Sequence, residues 1–352
     1  MLFPIEYNKI DLEKFIFIDV RSENEFEKET INNAINIPIF NNEERELVGS
    51  TYKKNPASES KILGVSIVSK KLPEIYEKLL ILKTESKKNI VLFCDNGGMR
   101  SSSIALLMHS IGVNINYLKG GYKEYRKYIR EKLPLLNEKV TYIVIHGKTG
   151  SGKTVLLHKL SELGLDVLDL EGAANHRGSL LGGVGLGKCN STKQFESNIY
   201  NTFINRNSNY FFVEAESRKI GNVYVPEYIH SKMKKGIHIY IETPIELRAS
   251  LLVDEYIKND KSINELIQGV DLMKKHMKSS DAEEIINDLK NNNVTEVAIR
   301  LMKDYYDPMY LHSSNKYKYS KILNVTDFDS ASISIKEWYE STIDITYLLA
   351  PK

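Results

Sequence analysis

Two apolar patterns alternate along this chain. Short apolar runs stand at 90–93, 142–145 and 210–213, and ones interrupted by a single polar residue at 15–20, 167–170 and 237–241, with briefer interrupted ones at 34–38 and 115–118. Runs of this length without polar alternation predict strands buried on both faces, as in parallel sheets. Between them apolar residues recur at helical spacing over 43–52, 67–82, 104–108, 122–133, 155–163, 193–204, 226–235 and 244–256. Ser22 reads as the N-cap of a helix over 23–28, with Glu25 in its first turn. From 263 to 306 the pattern is helical throughout, broken near Ser279-Ser280 and Asn291-Asn292-Asn293. Alternating strands and helices predict an α/β protein. The polar stretch Asn137-Glu138-Lys139, just after Pro134, reads as a junction. The expected domains are therefore 1–136 and 137–352, the second ending in a helical part.

Composition narrows the class. A chain of 352 residues suggests two domains, and 42% hydrophobic with 27% charged residues is ordinary for a globular protein. No run approaches the ~20 apolar residues of a membrane span. The start, Met1-Leu2-Phe3-Pro4-Ile5-Glu6, lacks a signal-peptide pattern, and a cytoplasmic location with no membrane partner is expected. The two cysteines, Cys94 and Cys189, form no disulfide framework. A net charge of +2 gives no global basic field, so any nucleic-acid contact needs a local patch. Lys274-Lys275-His276-Met277-Lys278 and the stretch 305–319 mix bases with aromatics, a combination that meets RNA, although solvated helix faces account for each piece alone.

Chemistry concentrates where strands end. After 90–93 comes Cys94-Asp95-Asn96-Gly97-Gly98-Met99-Arg100-Ser101. Such a loop turns backbone N–H groups of Gly97, Gly98, Met99 and Ser101 inward, with a helix N-terminus behind them. It makes Cys94 a candidate nucleophile and Arg100 a bidentate grip for an oxyanion. Asp19 and Arg21, at the end of another strand, are expected on the rim of that site. After 142–146 comes Gly147-Lys148-Thr149-Gly150-Ser151-Gly152-Lys153-Thr154, a full phosphate-binding loop between a strand and a helix. Gly147, Gly150, Ser151 and Gly152 let the backbone close on phosphates, Lys153 supplies charge, and Thr154 offers a hydroxyl to Mg²⁺. Beyond 167–170 follow Glu171, His176 and Arg177 and the glycine-rich Leu181-Gly182-Gly183-Val184-Gly185-Leu186-Gly187, which mark a site. The strand at 210–213 runs into Glu214, Glu216, Ser217 and Arg218. Glu214 is the acid placed to support Mg²⁺ or to position a reactant.

The N-terminal motifs resemble a rhodanese domain. They are Asp19-Val20-Arg21 with Glu25-Phe26, Ala34-Ile35-Asn36-Ile37-Pro38, the Cys94 loop and Leu118-Lys119-Gly120-Gly121-Tyr122. Arg100 stands one residue later than in the commonest rhodanese loop and matches the Cys-x5-Arg-Ser pattern of rhodanese-fold phosphatases. Five motifs together resemble the bacterial tRNA 2-selenouridine synthase family. They are Glu44 to Lys53, the Cys94 loop, Gly147 to Thr154, Leu170 to Ser179, and Glu216-Ser217-Arg218-Lys219-Ile220-Gly221. The resemblance implies a rhodanese-like domain joined to a P-loop NTPase-like parallel-sheet domain. It implies a transferase acting on the wobble uridine of a tRNA anticodon. Geranyl diphosphate first alkylates the sulfur of 2-thiouridine, and selenophosphate then replaces the geranylthiol with selenium. Selenophosphate synthase is the implied partner enzyme, and Mg²⁺ the implied cation. In this division Lys153, Thr154, Glu214, Glu171, His176 and Arg177 serve geranyl transfer, and Cys94 and Arg100 serve selenation. Two departures stand out. Asp95-Asn96 replace an expected apolar or aromatic residue and an arginine, and Cys189-Asn190 replace Gln-Pro.

Two other classes fit parts of the sequence. One is a Cys-x5-Arg phosphatase fused to a nucleotide-binding, kinase-like domain, which would turn over a generic aryl phosphate. The other is a sulfur carrier with a nucleotide switch, which would bind ATP or GTP tightly. The phosphate-loop part, 137–352, carries no Asn-Lys-x-Asp motif for guanine; the match at Asn8-Lys9-Ile10-Asp11 stands in the other domain. Oligomeric state is not encoded in any motif.

Overall fold

The computed structural model describes residues 4–54, 56–258, 260–275, 277–314 and 317–344. Residues 1–3, His276, Asn315 and Lys316, which fall in stretches considered above, lie outside these. The chain divides into two compact units, Met1–Leu133 with Glu196–Tyr200, and Pro134–Phe195 with Asn201–Lys352.

The first unit contains β1 (Phe15–Asp19), α1 (Glu23–Lys28), β2 (Ile35–Asn36), α2 (Asn42–Lys54), α3 (Ala57–Ser86), β3 (Asn89–Phe93), α4 (Met99–Ser110), β4 (Asn116–Tyr117) and the start of α5 (Gly121–Glu138). Its sheet has the order β2-β1-β3-β4, all parallel. The unalternated run at 90–93 is buried from end to end, as a doubly covered strand requires. Ile18, Ile90 and Leu92 pack with Leu79 of α3 and Ile104 and Met108 of α4. The expected helix over 23–28 forms, and Glu25 Oε2 accepts the Ser22 N–H at 3.2 Å, closing its first turn. Helix α3 starts well before the expected 67, because its early apolar residues Ile62 and Val65 stay exposed and so give no core periodicity.

The stretch expected as a junction is helical up to Glu138. Asn137 is buried there: its carbonyl accepts the Tyr142 hydroxyl at 2.7 Å, and its amide donates to Tyr228 O at 3.2 Å. A polar residue satisfied in this way does not behave as linker.

The second unit runs β5 (Thr141–His146), α6 (Lys153–Glu162), β6 (Val167–Leu168), α7 (Leu170–Ala174), α8 (Thr192–Ile204), β7 (Tyr210–Glu214), β8 (Lys219–Ile220), β9 (Val223–Tyr224), α9 (Glu227–Lys234), β10 (Ile237–Glu242), α10 (Ile245–Tyr256), α11 (Asp260–Met273), α12 (Ser279–Lys290), α13 (Val294–Leu301), α14 (Asp307–Ser314), β11 (Tyr319–Asn324) and α15 (Phe328–Tyr339). Its main sheet, β11-β10-β5-β7-β6, is parallel throughout. Strand order reverses at β5, the place where ligands bind in open α/β sheets. Ile143, Ile145, Phe212 and Ile239 form the sheet's core with Leu156 and Leu160 of α6. Helices α11 to α13 enclose a separate apolar cluster around Val270, Ile285 and Val297. A π-helical turn, Met302–Tyr306, leads into α14. Among the described residues no helix is long and apolar enough to cross a membrane.

Candidate functional site

Cys94 directly follows β3, at the C-terminal edge of the first unit's sheet. Its carbonyl accepts the Tyr122 N–H, and that of Asp95 accepts the Lys123 N–H, each at 2.9 Å. These bonds peg the loop to the start of α5. Gly97 adopts φ +61°, and a Cβ there would lie 2.5 Å from Leu118 O, so only glycine fits. Cys94 is buried, and its Sγ accepts the Ser101 hydroxyl at 3.3 Å. Gly98, Met99 and Ser101 lead into or lie on the first turn of α4, whose N–H groups face the loop.

Arg100, expected to grip an oxyanion, is tied instead to Glu25: Nη1 meets Oε2 at 2.9 Å, and Arg45 Nε meets the same oxygen at 3.2 Å. Burial alone would raise Glu25, but Arg100 and Arg45 outweigh it and hold the carboxyl below its ordinary value. Two guanidinium groups on one carboxylate leave a net positive charge beside the loop. Asp19 and Arg21 are not rim residues. They are 0% and 3% exposed. Arg21 Nε and Nη2 donate to Asp19 at 3.0 and 2.7 Å, and the Thr30 hydroxyl donates to Asp19 at 2.9 Å. The guanidinium also lies 4.4 Å from the centre of the Tyr122 ring. With their polar atoms spent on each other, the pair bolts the strand end from beneath.

In the second unit, the phosphate loop joins β5 to α6. Gly152 takes φ +78°, and a Cβ would sit 2.2 Å from the Phe328 ring. Lys153 Nζ folds back onto Gly147 O at 3.1 Å. The Gly147 N–H donates to the Tyr310 hydroxyl at 2.9 Å. Arg248, on the buried face of α10, donates from Nε and Nη2 to Thr149 O at 2.9 and 2.8 Å and pairs with Asp307 at 2.5 Å. The Thr243 hydroxyl donates to Ser151 O at 2.9 Å. His146, ahead of the loop, contacts His238 at 2.8 Å. Burial, then His238 and Lys153, push it down to about 3, so it adds no charge.

Three carboxylates converge beside the loop. Glu214 ends β7, whose neighbour is β5, with Glu214 opposite Ile145. Glu171 lies in the first turn of α7, which the Asp169 carboxylate caps by accepting the Gly172 N–H. One ligand oxygen from each of Glu171, Glu214 and Glu216 lies within 4.8 Å of the others. Burial first, then mutual repulsion, pushes Glu214 up to about 8 and Glu171 up to about 10, while Lys153 pulls both down; Glu216 is raised as well. The Thr154 hydroxyl bonds Glu214. Ser151 Oγ and Glu214 Oε1 are buried and have no hydrogen-bond partner among the described residues. An all-oxygen donor set whose carboxyls ionise readily only against an added positive charge suits a hard divalent cation, and the orphaned atoms suit a phosphate-bearing ligand. Thr154, Glu171 and Glu216 are the residues that would hold Mg²⁺.

The other candidates occupy different roles. The His176 ring fits between the glycine-rich loop and the β8–β9 turn, where Cβ atoms on Gly182 or Gly221 would come within 2.8 and 2.6 Å of it. Arg177, expected to bind substrate, is a strut. It donates to Glu255 Oε1 at 2.6 Å, Val184 O at 2.7 Å and Glu255 O at 3.0 Å. The Ser217 hydroxyl donates to Lys219 O, and exposed Arg218 pairs with Glu227. Sequence reasoning missed Arg248, Asp307 and Tyr310. The one local signal was a charged residue, Arg248, among the apolar positions of α10.

Family models agree with this architecture. That of the rhodanese-like domain matches residues 7–128, and that of the tRNA 2-selenouridine synthase AAA domain matches 140–298. The tRNA 2-selenouridine synthase of Sulfurovum sp. (strain NBC37-1) is 30% identical, covering 87% of this chain and 90% of its own length. The enzyme of the same name from Hydrogenovibrio crunogenus is 30% identical over 92% and 96%, and that from Shewanella frigidimarina 28% over 95% and 97%. By these matches, which span both units, the chain belongs to the tRNA 2-selenouridine synthase family.

Proposed function

We propose that this protein converts 2-thiouridine at the tRNA wobble position to 2-selenouridine by two transfers, one at each anion-binding loop. What supports this reading is that one chain carries two glycine-bearing loops at strand ends, each suited to one of the two anionic donors the sequence of transfers requires. In the first transfer the thiocarbonyl sulfur attacks C1 of geranyl diphosphate, and the C1–O bond breaks. Lys153 and the loop N–H groups hold the departing diphosphate. Glu214, whose affinity for a proton is tuned near neutrality, takes the proton from N3. The chemistry that Mg²⁺ supplies there is neutralisation of the diphosphate charge.

In the second transfer the Cys94 thiolate attacks phosphorus of selenophosphate, as its Cys-x5-Arg loop suits, with Arg100 steadied by Glu25. The P–Se bond breaks, and hydrogen selenide anion leaves. Selenide adds to C2 of the S-geranyl nucleoside, the C2–S bond breaks, and the selenide proton ends on N3. Water cleaves the S-phosphocysteine to phosphate and restores the thiolate, and its remaining proton goes to the geranylthiolate. Alkylation is what turns the sulfur into a leaving group, so the order is fixed.

Two variants test the division. Cys94→Ser should accumulate S-geranyl-2-thiouridine and form no selenouridine. Lys153→Ala should fail to geranylate, yet selenate tRNA supplied already geranylated. Full selenation by Cys94→Ser, or undiminished geranylation by Lys153→Ala, overturns the assignment.

A further inference from the structure

The first unit contains a cavity of about 1280 Å³ between α2, α3 and α4. That exceeds the ~300–1,000 Å³ usual for small-ligand pockets. Phe40, Val48, Val65, Val68, Leu72 and Leu107 line it. Phe40, Val48, Val68 and Leu72 pack on the sheet's core, whereas Val65 is 69% and Leu107 36% exposed, so apolar side chains still face an open trough. Its polar end holds Arg45 and Arg100 on their shared Glu25. Arg100 belongs to the Cys94 loop, so the trough leads to the proposed selenation chemistry. Lys53, Lys54 and Lys61 also line the cavity. The ligand complementary to this wall is an apolar chain attached to a polyanion.

We propose that the cavity holds the isoprenoid chain of an S-prenylated tRNA nucleoside during selenation and receives the departing prenyl thiol. The proposal rests on the two-transfer reading above and adds the place where the chain binds. It supplies a reason for a ten-carbon group where a methyl group would activate the sulfur equally well. Each methylene withdrawn from water is worth about four-fold in affinity, so the chain anchors the intermediate while its sulfur is lost. The basic rim suits the phosphates of the tRNA that carries it.

The test is steady-state selenation by the full-length protein, with selenophosphate and tRNA bearing S-methyl-, S-dimethylallyl- or S-geranyl-2-thiouridine. For the wild type, KM should fall at least ten-fold from the methyl to the geranyl substrate. Val65→Asp and Leu107→Asp should raise KM for the geranyl substrate ten-fold or more, with kcat and the S-methyl KM changed less than two-fold. Val65→Trp, which narrows the trough without adding charge, should shift the preference to dimethylallyl. Ile111→Asp, an apolar site outside the cavity whose exposure lies between those of Val65 and Leu107, should change nothing. A wild type that selenates S-geranyl tRNA with no chain-length preference, or cavity variants that behave as wild type, overturns the cavity assignment alone. A wild type that cannot selenate S-geranyl tRNA overturns the two-transfer reading, and the cavity proposal with it.

Discussion

Glu214 shows how one residue sets opposing demands on stability and chemistry. A free glutamate titrates near ~4.3, whereas burial and then the charge of Glu216 push Glu214 up to about 8 against the pull of Lys153. A carboxyl raised on folding adds stability that is fully present below its unfolded value and is lost as pH rises through the folded one. Without added cation or diphosphate, stability should therefore decline between about pH 4.5 and 8. Glu214→Gln should flatten that decline and raise Tm at pH 8.5 by about 2–4 °C, the shift that ~1 kcal/mol gives in a unit of this size. Geranyl transfer by the same variant should fall at least ~100-fold, the usual contribution of a positioned proton acceptor. Calorimetry across pH, with nucleoside analysis of the product, checks both. A lower Tm at pH 8.5, or an unchanged transfer rate, contradicts the role.

Among elements, α10 and α14 govern the phosphate loop. Arg248 bridges Thr149 O and Asp307, and its side chain is only 4% exposed. Arg248→Ala leaves the half-buried Asp307 carboxylate without its cation, a change that costs about 2–3 kcal/mol, less than the full cost for a fully buried pair. Urea unfolding should register that loss, and KM for geranyl diphosphate should rise about ten-fold as the loop slackens. Arg248→Lys should recover little, since an ammonium group cannot reach both acceptors as a planar fork does. Wild-type stability and KM in Arg248→Ala would refute the clamp. Local chemistry made the loop itself legible: its glycines, Lys153 and Thr154 are contiguous, and a strand and a helix flank them. The clamp was not legible, because Arg248 and Asp307 meet only after the sheet has formed. Strand β11 escaped notice because it pairs only with β10 and alternates half-buried with exposed residues, leaving no apolar run. Asp19 and Arg21 were misread because a charged strand end looks the same in sequence whether it faces solvent or its own partner.

At the scale of the whole molecule, two parallel sheets each end in a glycine-bearing loop, one beginning with a thiol and one ending in lysine and threonine. The parallel order of both sheets followed from buried runs alternating with helices, and the synthase family from five motifs in order. Convergence of Glu171 with Glu214 and Glu216 was beyond the sequence, since the ends of β6 and β7, some forty residues apart, had to be brought side by side. The family match reaches across both units. The most direct measurement incubates the full-length protein with 2-thiouridine tRNA, geranyl diphosphate and Mg²⁺, with or without selenophosphate, and weighs the nucleosides by mass spectrometry. The account predicts S-geranyl-2-thiouridine when selenophosphate is withheld and 2-selenouridine when it is supplied. Selenouridine formed without geranyl diphosphate, or no S-geranyl nucleoside in the absence of selenophosphate, would contradict it.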